Sequence, residues 1–152
     1  MKKYEFTGET KEIRLLFRTA TLHRIRATVA FGIVEVGDLG GWIEKEENLS
    51  HEGKAWVCGD ADVCGDAKVF SASHVLVIGA IGSRDDFTTF FRDKDNEITV
   101  KCGCFLGKID KFLEKVTQTH GDSKYALVYR AAVEVARLQI DLSGEAPKDA
   151  DK

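Results

Sequence analysis

A repeat with a period of six residues constrains the fold of this 152-residue chain more than any other feature. Four hexads follow one another from residue 55, and each begins with a small residue and carries an aliphatic residue two positions later. The pairs are Ala55/Val57, Ala61/Val63, Ala67/Val69 and Ser73/Val75. Because residues two apart on a strand point to the same side, both members of each pair should face inward. Gly-Asp pairs at 59/60 and 65/66 supply bends after the first two hexads.

A chain that bends after every hexad and buries such a pair on each side should coil as a triangular prism, with coils stacked about 4.8 Å apart. This pattern resembles the left-handed β-helix of hexapeptide-repeat proteins. With about three hexads per coil, as the resemblance implies, residues 49–84 would form roughly two coils. So short a solenoid leaves strand edges and an apolar end open, so we expect the rest of the chain or another subunit to cover it.

Short strands are predicted on both sides of the repeat. Alternation of residue types predicts two strands before it, at 4–10 and 21–29, followed by a Gly-rich turn at 37–41. After the repeat, segments 87–91 and 98–105 are rich in β-branched and aromatic residues. We therefore predict that these two segments form a β-hairpin.

Two helices are predicted near the C-terminus. Apolar residues at helical spacing mark the first one, which should end at His120 and Gly121. These residues are Ile109, Phe112, Leu113 and Val116. Asp122 or Ser123 can cap a second helix, which should run to about Ile140 and be largely buried.

The predicted fold is thus mainly β with C-terminal helices, in one compact domain over residues 1–142. N-terminal strands and a cap occupy 1–48, the short left-handed β-helix of hexapeptide repeats 49–84, and the β-hairpin plus two α-helices 85–142. The last segment, 143–152, contains the single proline of the chain and is predicted to be a disordered tail.

Composition excludes several classes of protein. Hydrophobic residues make up 43% and charged residues 31% of the chain, which is typical of a globular protein. We find neither an apolar run near the roughly 20 residues that span a bilayer nor a signal-peptide pattern, so we expect a cytoplasmic protein with no membrane partner. The four cysteines lack Cys-x-x-Cys spacing and are interpreted as free thiols in a reducing compartment.

Charge is distributed unevenly along the chain. Residues 1–32 contain seven Lys or Arg against three Asp or Glu, whereas residues 33–66 contain two against nine. An acidic central region argues against a duplex-binding surface, because phosphate contacts require clustered Lys and Arg. The basic strip near the N-terminus is better explained as a solvated strand face, so a nucleic-acid partner is not expected.

A second resemblance concerns the segment 37–51, which has the sequence Gly-Asp-Leu-Gly-Gly-Trp-Ile-Glu-Lys-Glu-Glu-Asn-Leu-Ser-His and leads into the hexads. It is similar to a family of uncharacterised hexapeptide-repeat proteins of phages and prophages. The motifs at 81–85, 87–90 and 102–105, with His120-Gly121, resemble a module that recurs in phage proteins. The resemblance implies an accessory protein of a mobile element, acting in the host cytoplasm, and implies no defined reaction.

The strongest candidate for a binding site follows the repeat. The turn formed by Gly82, Ser83 and Arg84 offers backbone N–H groups, a hydroxyl and a guanidinium, which suit a phosphate or carboxylate. In the alternative interpretation, Asp85 and Asp86 pair with the arginine on a solvated turn. The residues expected to form the walls of the site are Thr88, Thr89, Cys102, Cys104 and His120.

The function expected from this site is non-enzymatic binding without a cofactor. The protein would act as an anti-defence or host-takeover factor, either by sequestering a small anionic, nucleotide-like ligand or by blocking a host defence protein.

Two alternatives remain open. The first is a hexapeptide-type acyltransferase with His51 or His74 as general base, although such enzymes use longer prisms and a projecting loop. The second is a structural oligomerisation module. A homo-oligomer, dimer or trimer, is expected because Trp56 and Phe70 have outward phase on a thin prism.

No metal site is expected. Cys58 and Cys64 are one hexad apart, which would place them on adjacent faces of a triangular coil. They would then lie too far apart to share a zinc ion.

Overall fold

The computed structural model describes residues 2–143, and its regular structure consists of two four-stranded β-sheets followed by two α-helices. The first sheet has the order β1 (Tyr4–Arg14), β2 (Thr19–Ala27), β3 (Leu39–Ile43), β4 (Asp62–Val63). The second has the order β5 (Val75–Ile81), β6 (Asp86–Arg92), β7 (Ile98–Cys102), β8 (Phe105–Lys108). The helices are α1 (Ile109–His120) and α2 (Lys124–Gln139).

The predicted left-handed β-helix at residues 49–84 is wrong. Within residues 49–72, all of which the structure describes, Asp62–Val63 is the sole strand, and it pairs in parallel with β3 of the first sheet. The last predicted hexad, 73–78, overlaps a 3₁₀ turn at Ala72–His74 and then continues into β5, which pairs antiparallel with β6. A solenoid strand requires a parallel neighbour in the next coil. Between segments of the repeat, parallel pairing is limited to the isolated bridge of Leu49 with Val69, and β5 takes an antiparallel neighbour from the hairpin that follows.

The inward phase is nevertheless confirmed for the first three hexads, whereas Ser73 and Val75 of the fourth are only half-buried. Six of the predicted inward residues are at most 1% exposed, namely Ala55, Val57, Ala61, Val63, Ala67 and Val69. Lys68 lies between the inward residues Ala67 and Val69 and should therefore point outward. It is nevertheless only 8% exposed, and its N–H donates to the Arg92 carbonyl at 2.9 Å. The second sheet therefore covers a side of the repeat that the prediction left in solvent.

The pairing of segments 87–91 and 98–102 is confirmed and belongs to a four-stranded antiparallel meander. The predicted strand 98–105 is wrong beyond Cys102, because the chain turns at 103–104 and returns as β8. Neighbouring residues of β6 point to opposite faces of this sheet, as the strand period requires. Phe91 belongs to the core shared with the repeat, and Phe90 to the core beneath the helices. The second sheet therefore has a layer on each side, and the helices cover the face that carries Phe90.

The helix ends also agree with the prediction. The N–H of Gly121, with φ of +58°, caps α1 by donating to the Thr117 carbonyl, and Ser123 is the N-cap of α2. The second helix is less buried than expected, because Leu127 and Leu138 are 60% and 88% exposed. Among residues 2–143, we find no helix long and apolar enough to cross a membrane. The tail predicted to be disordered spans 143–152, and all of it except residue 143 lies outside the described residues.

Candidate functional site

A cavity of about 170 Å³ lies where the β5–β6 turn, the β7–β8 turn and the two helices meet. Five of the seven residues predicted for the binding site line it: Ser83, Arg84, Cys102, Cys104 and His120. They come from three separate parts of the chain, which the antiparallel meander and the end of α1 bring together.

The other two predicted wall residues, Thr88 and Thr89, do not line the cavity and are each 1% exposed. The Thr88 hydroxyl lies behind the wall and donates to Cys102 Sγ at 3.4 Å. Thr89 points to the opposite face of the sheet, where its hydroxyl accepts from the Asp62 N–H at 3.0 Å. Successive strand residues alternate between faces, so a single cavity could not contain both side chains.

The turn after β5 is closely fitted to α2. Gly82 has φ of +81°, and a Cβ atom built on it would overlap the hydroxyl of Tyr129. Burial raises the pKa of Tyr129, and its contact with the Cys102 thiol adds to this rise, whereas hydrogen bonding to Ser83 opposes it. A tyrosine hydroxyl, a serine and a thiol are therefore grouped on one side of the cavity.

The inner wall of the cavity is aromatic. Phe112 contacts Phe105 with ring centroids 5.4 Å apart and meets Tyr129 edge-on at 5.8 Å. The ring of His120 stacks on that of Tyr129 at 5.6 Å with an angle of 28° between the planes. Such a wall offers an apolar surface to a planar group.

Charged side chains also line this cavity. Arg84 projects from the sheet side and Lys115 from α1, and neither forms an ion pair within residues 2–143. The alternative in which Arg84 pairs with Asp85 or Asp86 is therefore not what the structure shows. The Asp86 carboxylate instead accepts from the Phe87 N–H at 2.7 Å. Two cations that form no ion pair with the described residues leave positive charge available to a ligand.

The sequence prediction missed Lys115, Thr119 and Tyr129, all of which line the cavity. Lys115 and Thr119 lie four residues apart on α1 and share a side of the helix, but neither is three or four residues from the predicted residue His120, so helical spacing did not indicate them. No local signal indicates Tyr129, since its position depends on how α2 packs against the turn at Gly82.

The two histidines considered as general bases lie outside the cavity and accept hydrogen bonds. Nδ1 of His51 accepts from the Lys3 N–H at 2.9 Å, and its ring stacks on Tyr4 at 4.0 Å. Nδ1 of His74 accepts from the Phe70 N–H at 3.0 Å, and its side chain is buried. Both side chains thus stabilise local structure. Among residues 2–143, no group of three or more His, Cys, Asp or Glu side chains is arranged to hold a metal ion.

The basic strip near the N-terminus is largely neutralised within the protein. Arg26 contacts Glu5 at 2.7 Å, and Arg18 forms two hydrogen bonds to Glu44, at 2.7 and 2.9 Å. These arginines form a solvated, paired surface, as the sequence analysis favoured.

A scan against protein-family models finds no match to this chain, and a search of curated proteins finds no significant match. The resemblance to hexapeptide-repeat proteins of phages and prophages is therefore neither supported nor contradicted by these comparisons and stays a prediction.

Proposed function

We propose that this protein is a binding protein that holds a small anionic, nucleotide-like ligand in the cavity between the second sheet and the helices. The observation that carries the proposal is the convergence on an aromatic cavity of Arg84 and Lys115, neither of which forms an ion pair with a residue between 2 and 143. A ligand with a planar ring and a negative group would satisfy both features.

The size of the cavity supports a ring of this kind. An engineered apolar cavity of about 150 Å³ in another protein accommodates a benzene molecule, so the present volume of about 170 Å³ suits one ring of similar size. Phe105, Phe112 and Tyr129 would contact such a ring along the inner wall. The remainder of the ligand would extend toward solvent.

The charged residues support a negative group on the exposed part of the ligand. A guanidinium forms bidentate hydrogen bonds with phosphate or carboxylate, and a lysine ammonium adds a point charge from the facing helix. The Ser83 hydroxyl, one residue before the arginine, can donate a further hydrogen bond. Asp86, which also lines the cavity, can accept from hydroxyl or amino groups and would disfavour a ligand with dense negative charge at that position.

The biological role we propose follows from the resemblance to phage and prophage proteins. An accessory protein of a mobile element with such a cavity would act in the host cytoplasm as an anti-defence factor. By sequestering the ligand, it would lower the free concentration available to host proteins.

Mass spectrometry of small molecules released from the purified protein tests this proposal. Wild-type protein should release an anionic, ring-containing compound in an amount comparable to the protein. Arg84→Ala should release much less, because it removes the bidentate partner. Lys111→Ala is the control, since it removes a cation from an exposed position on α1 that pairs with Glu114 and does not line the cavity. Equal amounts from wild-type and Arg84→Ala protein, or no such compound from either, would contradict the proposal.

A further inference from the structure

Two cysteine thiols share the wall of the cavity. Cys102 pairs with Phe105 across the β7–β8 hairpin, so the chain reverses direction within Gly103 and Cys104. Gly103 has φ of +57°, a left-handed conformation that tight turns often need and that glycine adopts without strain. The Cα atoms of residues i and i+2 in such a turn lie about 5 to 6 Å apart, which is within the range that a disulfide spans.

A hydroxyl and two cationic side chains surround this pair. The Thr88 hydroxyl donates a hydrogen bond to Cys102 Sγ at 3.4 Å, and the Arg84 guanidinium lies beside the turn, with Nη1 3.8 Å from the place of a Cβ on Gly103. Lys115 adds a second positive charge to the same cavity. These groups place a hydrogen-bond donor and two positive charges beside the two thiols of the cavity.

The other two cysteines have different surroundings. Cys64 is completely buried, and burial raises the pKa of its thiol to about 12, so it should be inert. Cys58 is exposed but does not line the cavity that contains Arg84 and Lys115. These two residues therefore provide an internal comparison for the cavity pair.

We propose that Cys102 and Cys104 form a thiol modification site, in which a low-molecular-weight disulfide such as oxidised glutathione converts them to a reversible intramolecular disulfide. One cysteine thiolate attacks a sulfur of the small disulfide, which forms a mixed disulfide and expels one thiolate. The second cysteine thiolate then attacks the protein sulfur of the mixed disulfide and expels the other. The cysteine pair loses two electrons, the small disulfide gains two, and the two cysteine protons end on the two released thiols.

The disulfide would alter the cavity directly, whatever ligand it holds. Cys102 Sγ now accepts from Thr88 and contacts the Tyr129 hydroxyl, and a bond to Cys104 would draw it away from both. A disulfide that closes so small a ring is expected to be labile, so common thiols should reduce it again.

Peptide mapping of the full-length protein tests this inference. Reduced, folded protein is incubated with oxidised glutathione and then unfolded in denaturant so that every remaining thiol, including the buried Cys64, can be alkylated with iodoacetamide. The protein is then digested with trypsin. Cleavage after Lys54, Lys68, Lys101 and Lys108 places the two cysteine pairs in separate peptides, 55–68 and 102–108. We expect peptide 102–108 to be unalkylated and lighter by two hydrogens than the same peptide with two free thiols. Peptide 55–68 should carry two alkyl groups. Dithiothreitol added before alkylation should restore two alkyl groups to peptide 102–108.

Two variants check the order of the reaction. Cys102→Ser and Cys104→Ser should each retain a glutathione adduct on the remaining cysteine of the pair, because the second attack is no longer available. The inference is overturned if wild-type peptide 102–108 stays doubly alkylated or carries only glutathione adducts. It is also overturned if peptide 55–68 loses its free thiols as fast as peptide 102–108.

Discussion

At the scale of single residues, Gly82 decides whether the cavity can form. Its φ is positive, and a Cβ added to it would overlap the Tyr129 hydroxyl, so there is no room for a methyl group. We predict that Gly82→Ala destabilises the protein by about 1–3 kcal/mol, because both the backbone and the tyrosine must move. Urea denaturation measures this, with Gly59→Ala as the control, since a Cβ at Gly59 meets nothing within 4 Å. Equal stability of the two variants would show that the turn and α2 are not fitted as described.

His74 gives the protein a dependence on pH. Burial lowers the pKa of His74, the Arg92 guanidinium lowers it further, and Asp141 opposes the change. The unfolded chain therefore binds this proton at higher pH than the folded protein does, so the free energy of unfolding should decrease as pH falls below about 6.5. His51, whose pKa burial also lowers, contributes in the same direction.

His74→Asn should reduce this loss of stability at acidic pH. The asparagine carbonyl can replace Nδ1 as the acceptor for the Phe70 and Ser71 N–H groups and does not titrate in this range. Urea denaturation between pH 5 and pH 8 measures the difference. If the stability of the variant falls with pH as steeply as that of the wild type, His74 is not responsible.

At the scale of elements, the repeat predicted the side on which each residue lies but not the strand with which it pairs. Val63 is buried as the hexad phase requires, yet its parallel neighbour is β3 rather than another hexad. A period of two or six depends on local alternation, which the sequence displays. The choice of partner depends on contacts between distant segments, which it does not display. The same limit explains why the sequence did not predict the burial of Lys68, whose outward phase is covered by the second sheet.

Substitution of Val63 tests whether the repeat forms part of the core. Val63→Asp would place an unpaired carboxylate among residues that are at most 1% exposed, at an expected cost of about 3 kcal/mol or more. Cys58→Asp is the control, because Cys58 belongs to the same repeat and is exposed. Thermal unfolding should show a large fall in melting temperature for the first variant and little change for the second. Similar melting temperatures would contradict the described phase.

The candidate site likewise contains residues that the sequence predicted and residues that it could not predict. Local patterns predicted the turn at Arg84, the hairpin that carries Cys102 and the end of α1 at His120, and these lie together at one cavity. They could not predict Tyr129, which reaches the cavity through the docking of α2. They also could not separate Thr88 from Thr89, because the direction of β6 relative to the helices is a tertiary feature.

At the scale of the whole molecule, the structure leaves one of the two residues that led us to expect a homo-oligomer in solvent and covers the other. Trp56 was expected to be stranded in solvent on a monomer, but it is half-buried and meets the Phe31 ring at 5.4 Å. Phe70 is 40% exposed, and the Arg92 guanidinium lies 6.0 Å from its ring. The homo-oligomer therefore stays a prediction, and of these two residues only Phe70 still supports it.

The central claim is that the cavity binds a ring-containing anion through Arg84. Calorimetric titration with the four nucleoside 5′-monophosphates tests it most directly, with the corresponding nucleosides and inorganic phosphate as partial ligands. We predict that wild-type protein binds at least one nucleotide more tightly than either partial ligand. Arg84→Ala should lose about 1.5–3 kcal/mol of that binding, or about ten- to a hundredfold in affinity, and Arg84→Lys should recover part of it. Lys111→Ala should bind as the wild type does. The account is contradicted if wild-type protein binds none of the nucleotides, or if Arg84→Ala binds them with wild-type affinity.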